Sequence, residues 1–141
     1  MEPLEEVVAA IEATLQRPER DALGVCPLDA HSVIEARKDP ELRRFFNEAG
    51  FTLADGMPLV RVGRWMGFPG AERARGAELM WRILEGTRDT GIGHFFFGGR
   101  EGVADALAAR VSAAFPGIRV AGTFCPPFRA LTSAEENEIG A

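Results

Sequence analysis

Asp55 stands between a short β-prone run, Phe51-Thr52-Leu53, and a segment whose apolar residues recur at helix spacing. Ala54-Asp55-Gly56 supplies turn chemistry that ends the first and opens the second. A carboxylate at a strand tip, just ahead of a helix, lies where open α/β sheets collect their ligands. Four arginines follow, Arg61, Arg64, Arg73 and Arg75, against one acid, Glu72. Residues 56–77 thus carry a net charge of +3 in a chain of −5. A positive island in an acidic protein points to an anionic ligand, phosphate being the commonest kind. The same residues also fit a plain turn followed by a solvated basic helix face, and on their own they leave both readings open.

A second candidate for phosphate is Gly98-Gly99-Arg100-Glu101-Gly102, between the apolar run His94-Phe95-Phe96-Phe97 and an apolar-periodic segment. Strand, glycine turn and helix in that order aim backbone N–H groups at an anion. The spacing is GGxxG and not the dinucleotide GxGxxG, so it does not suggest NAD. His31 follows the first expected strand, where a ligand group could be, although a lone histidine near a helix start is more often a cap or a packed ring.

These groups need elements to hold them. Leu4, Val7, Val8, Ile11 and Leu15 share one helical face, with Glu2, Glu5, Glu6 and Glu12 off it, so residues 1–20 are expected to form an amphipathic helix. Residues 22–26, ALGVC, read as the first strand, ended by Pro27. Asp29 can cap a helix carrying Val33, Ile34 and Ala36. Asp39-Pro40 starts another, with Leu42, Phe45 and Phe46 inward, which stops at Gly50. Residues 51–53 form the next strand. After the basic segment, residues 77–87 read as a helix burying Leu79, Met80, Ile83 and Leu84. Phe95, Phe96 and Phe97 suit a strand buried on both faces. A helix with Val103, Leu107, Ala108, Val111 and Phe115 follows, and residues 118–124 form the last strand. Ser133-x-x-Glu136 is a capping box, and Thr132-x-x-Glu135 would also serve. A helix start with so little chain behind it reads as a sequence cut short.

The alternation predicts an α/β, Rossmann-like sandwich with a mainly parallel sheet and helices on both faces. Right-handed crossovers would bring Asp55, the GGREG turn and the end of the first strand to one sheet edge. At 141 residues, 46% apolar and 26% charged, the chain is expected to be one soluble domain, 1–141. A pI near 5.1 argues against nucleic acid as a partner. Cys26 and Cys125 fit neither a disulfide framework nor a zinc pattern. The acidic N-terminus is unlike a signal peptide, and no run approaches the ~20 apolar residues of a membrane span. A cytoplasmic location follows, and any membrane contact must be peripheral.

Several stretches together carry a family resemblance: AHSVIEARKDPELRRFFNEAGFTLADGMPLV, ERARGAELM, FFFGGREGVADALAARV and FPGIRVAGTFCPPFRALTSAEE. In that order and near those spacings the chain, from about Leu23 onward, resembles the WecG/TagA/CpsF glycosyltransferases. The resemblance implies a Rossmann-like fold and transfer of an N-acetylhexosamine-type sugar from a UDP-sugar to a polyprenyl-diphosphate-linked sugar, for teichoic acid, common antigen or exopolysaccharide. Transfer would be inverting, with no cofactor and no metal. Asp55 of the ADG motif would be the general base, and Arg73 of the ERxRG segment would offset charge on the departing UDP. Gly98, Gly99 and Gly102 match the family's turn near the nucleotide, and Asp29, Gly56 and Arg75 complete the nucleotide-sugar group. Where the family has Thr-x-Asn, this chain has Pro27-Leu28-Asp29, a carboxylate that would repel a diphosphate. The resemblance also implies further sequence: another strand, a Pro-x-Gln-Glu motif and a basic membrane-docking appendage. Self-association is expected, since apolar sheet surface would otherwise lie bare. A non-catalytic UDP-sugar binding or assembly module is the alternative. An α/β domain with merely structural turns is a third reading.

Overall fold

The computed structural model describes residues 3–18 and 22–140. Glu2 and the ends of the expected 1–20 helix therefore lie outside the described residues. Eleven elements follow one another among those described: α1 (Leu4–Leu15), β1 (Val25–Leu28), α2 (Ala30–Lys38), α3 (Pro40–Glu48), β2 (Phe51–Ala54), α4 (Met57–Trp65), α5 (Gly76–Thr87), β3 (Gly93–Phe97), α6 (Val103–Ala114), β4 (Arg119–Phe124) and α7 (Ser133–Gly140). Both strand pairings, β1 with β2 and β3 with β4, are parallel, in an α/β fold of Rossmann-like kind. The strands form two such pairs and not one four-stranded sheet among the described residues. The single edge expected to carry both Asp55 and the glycine turn is therefore not formed by strand pairing. Two compact units result, Met1–Gly86 and Thr87–Ala141.

In the first unit, successive β2 residues point to opposite faces, as the pleat requires. Leu53 joins Leu4 and Val7 of α1 and Ala74 and Leu79 in the main core. Ala54 packs on the other side with Val60 of α4 and Ala71. Helices thus cover both faces of the β1–β2 pair. β1 begins later than expected and runs through Pro27 to Leu28, with Pro27 opposite Leu53. The Gly24 and Leu28 carbonyls accept from Phe51 and Asp55 of the β2 side. By the two-residue period, the proline nitrogen then points away from β2 and no ladder bond is lost. Asp39 caps α3 through Glu41 and Leu42, as expected. Phe45, however, is exposed and no α3 residue is fully buried. Gly50 lacks the positive φ of a helix-ending glycine. A Cβ there would press on the Leu23 side chain.

In the second unit, α6 sits beside the β3–β4 pair, with Phe96, Ala104, Val111 and Phe115 buried. Phe95 and Phe97 alternate with Phe96 and are exposed, so β3 is covered on one face and not on both. The capping box that forms at α7 is the Thr132–Glu135 one. Glu135 accepts from the Thr132 N–H (2.8 Å), and the Glu135 N–H returns to the Thr132 hydroxyl (3.4 Å). Arg129 grips the same carboxylate from the other side, and Glu135 is held down at about 2, chiefly by that Arg129 hydrogen bond and then by Thr132.

Candidate functional site

Asp55 is the first residue past β2. Its N–H donates to the Leu28 carbonyl (2.9 Å), which fixes it at the carboxyl ends of both strands. On the other side runs a strap, residues 71–75, whose Ala74 N–H donates to the Ala54 carbonyl (2.9 Å). Ala71 and Ala74 are buried there, and only small side chains would let the strap lie so close. The strap delivers Arg73. Its Nε donates to the Asp55 carbonyl oxygen (2.5 Å), and Nη2 stands 4.0 Å from Asp55 Oδ1. Both side chains are more than a third exposed, so the pair is open to solvent.

Gly56 caps α4 from an extended backbone and has no side chain to bring. A Cβ on it would come within 3.9 Å of Asp29, so Asp29 and the Asp55–Gly56 turn are neighbours. Asp29 caps α2: its Oδ1 accepts from the Ser32 N–H and hydroxyl, each at 2.8 Å. These bonds, the backbone one first, hold its carboxyl below the ordinary carboxylate range. The structure therefore gathers Asp29, Asp55, Gly56 and Arg73 at one strand end. Arg75 is exposed just before α5, where its carbonyl accepts from Leu79. His31 is exposed in the first turn of α2.

One participant was not singled out from sequence. Gly76, the first residue of α5, faces Pro27 so closely that a Cβ would sit 3.1 Å from its ring and 3.8 Å from Asp55 Oδ2. The signal was a glycine directly after ERxR at a helix start. Arg64 does not face a ligand: its Nε donates to the Ala71 carbonyl (2.9 Å) and ties α4 to the strap. Glu72, the one acid of the basic segment, accepts from the Leu4 N–H at the start of α1 (3.4 Å).

Gly98, Gly99 and Gly102 belong to the second unit. All three have positive φ, +105°, +83° and +79°, a backbone that other residues adopt only at a cost. Gly98 N–H donates to the Phe124 carbonyl (2.8 Å) and Cys125 Sγ reaches the Gly99 carbonyl (3.2 Å), so the turn is stitched to the end of β4. A cleft of about 1060 Å³ opens there, lined by Gly99, Arg100, Glu101, Cys125, Pro126, Pro127 and Phe128.

Parallel strands with ligand-type residues at their carboxyl ends define an α/β protein of the Rossmann-like class. Within that class the chain matches the model of the glycosyl transferase WecG/TagA/CpsF family over residues 2–141, and it belongs to that family. The N-acetylglucosaminyldiphosphoundecaprenol N-acetyl-beta-D-mannosaminyltransferase of Bacillus spizizenii is 32% identical over 88 residues, 62% of this chain and 34% of that protein. The chain thus spans about a third of the length of this curated relative.

Proposed function

We propose that the chain serves transfer of an N-acetylhexosamine-type sugar from a UDP-sugar to a polyprenyl-diphosphate-linked sugar, in cell-envelope or exopolysaccharide synthesis. The observation that carries this reading is the Asp55–Arg73 pair at the strand end of a chain belonging to this family. The relative's name points to a diphosphate-linked acceptor and an N-acetylmannosaminyl group. The place of work is the cytoplasm, at the inner face of the plasma membrane.

In this reading Asp55 takes the proton of the acceptor hydroxyl as it attacks the anomeric carbon. The bond from that carbon to the UDP oxygen breaks, and inversion follows because attack comes from the opposite face. Charge gathers on the departing diphosphate, and Arg73 offsets it with a fixed cation, so the scheme calls on no metal. Base and leaving group must stand on opposite sides of the sugar, with the attacking atom roughly 3 Å from the carbon. Both groups open to solvent, where a substrate can reach them. Asp29, Gly56 and Arg75 complete nucleotide-sugar binding at this strand end, and in the second unit the turn of Gly98, Gly99 and Gly102 offers backbone N–H groups of the kind that hold phosphate.

Calorimetric titration with UDP, beside ADP and NAD, tests the reading. UDP alone is expected to bind, and Arg73→Ala to weaken it. Unchanged UDP affinity in Arg73→Ala would refute the phosphate role. A module that binds UDP-sugar without transferring it is the second reading. UDP binding with no turnover would select that one.

A further inference from the structure

The face of α4 that looks away from the core carries apolar side chains beside Arg61 and Arg64. Val60 is 1% exposed and Gly63 is buried, whereas Val62, Met57 and Met66 face solvent. Just beyond, Trp65 is 88%, Met66 65% and Phe68 54% exposed. Exposed apolar side chains gathered at one end of a helix mark a contact surface. The turn that bears these side chains is firmly built. The Gly67 and Phe68 N–H groups donate to the Arg64 and Gly63 carbonyls, Ala71 closes on Phe68, and Arg64 clamps the Ala71 carbonyl. Gly67, with φ +97°, and Gly70 meet nothing within 4 Å where a Cβ would stand, so the tip projects into open space.

Charge selects the occupant. From Gly56 to Ala71 there is no acid, and the two charged residues are Arg61 and Arg64, in a chain whose net charge is −5. Arg61 is exposed and has no ion-pair partner among the described residues. Tryptophan beside methionine and phenylalanine, edged by arginine and free of carboxylates, matches the interfacial layer of a bilayer with anionic headgroups. We propose that the tip of α4, residues 65–68, seats in the surface of an anionic phospholipid bilayer. The same residues continue inward. Val62, Met66 and Phe68 line the mouth of an apolar groove of about 320 Å³ whose floor includes Leu28, Leu53 and Ala54. Leu28 and Ala54 are the chain neighbours of Asp29 and Asp55, so the groove lies beside the strand end that bears the candidate site, while Asp29, Asp55 and Arg73 do not line it. This deepens the lipid-acceptor part of the proposed function and rests on it for its purpose, but not for its test.

The test is cosedimentation of the full 141-residue chain with vesicles of phosphatidylcholine alone and of phosphatidylcholine with phosphatidylglycerol. Trp65 and Trp81 are the chain's two tryptophans, so Trp81→Phe leaves Trp65 as the sole reporter. Binding to the anionic vesicles, weakened by salt, with a blue shift of Trp65 emission, is the expected result. Replacing Trp65, Met66 and Phe68 together by serine should lower vesicle partition at least ~10-fold at unchanged circular dichroism. No binding to anionic vesicles, or equal binding by the triple variant, would overturn the proposal. So would loss of self-association, with no vesicle binding, in that variant, which would make the tip a contact between copies. If the triple variant fails to fold, quenching of Trp65 by brominated acyl chains in the Trp81→Phe chain decides instead. Docking without UDP affinity would leave this inference standing and remove the transfer reading. UDP affinity without docking would do the reverse.

Discussion

Asp55 and Arg73 are eighteen residues apart and meet because a backbone strap, not a helix, carries the arginine back to β2. The carboxylate is anchored through its main chain on both neighbours, so substituting its side chain should disturb chemistry more than architecture. Asp55→Asn keeps the shape and removes the proton acceptor. Sugar transfer by that variant is expected to fall at least ~100-fold while UDP affinity stays, within the usual range for general-base catalysis. Initial rates on a lipid-linked acceptor measure it, and a wild-type rate would take Asp55 out of the base role. The turn at this site was legible in the sequence from Ala-Asp-Gly after a strand, while the role of Asp55 came from the family resemblance. The side-chain partners were not legible. Nothing local reveals that Arg64 is spent on the Ala71 carbonyl, or that Glu72 faces the start of α1. Four arginines in sequence thus make a weaker cationic island in space than their count implies.

At the scale of elements, helices were read closely and strands less so. Caps explain the difference: Asp29 and Asp39 sit at helix starts with their N–H partners two or three residues away, a local pattern. Strand limits depend on a partner strand, and β1 extends through Pro27 because β2 lies on the side where no proline donor is needed. β3 carries a further consequence. Its His94 shares a 2.8 Å hydrogen bond with the buried Thr87, and burial holds the imidazole below its ordinary 6.5. Between that depressed value and 6.5 the unfolded chain binds the proton that the folded chain refuses. Stability therefore rises with pH through this window and is lost on acidification. His94→Gln keeps a polar partner for Thr87 without the titration. Thermal midpoints of the two chains should converge as pH falls below 6.5, the native chain losing more. Parallel midpoint curves would show that His94 is not the group responsible.

Over the whole molecule, charge and apolar surface pull in opposite directions. A net charge of −5 favours separate copies, yet the second unit exposes Phe95, Phe97, Phe124, Phe128 and Ile139. Phe97 and Phe124 stack with ring centroids 5.8 Å apart, and with Phe95, Leu131 and Ile139 they line a groove of about 560 Å³. The aromatic run was legible from composition and position. Its exposure was not, because a continuous apolar strand looks the same in sequence whether one face or both is covered. Contiguous apolar surface on this scale marks a contact and is unlike scattered single residues. Self-association of the 141-residue chain through this face is the expected outcome, with sedimentation velocity showing species heavier than 15.3 kDa as concentration rises. Phe97→Ser with Phe124→Ser should return the chain to one molecule. Serine at Trp65, Met66 and Phe68 should leave association untouched, since those residues belong to the first unit and to a lipid surface. A 15.3 kDa species at every concentration would mean that water, and not protein, covers these phenylalanines in solution.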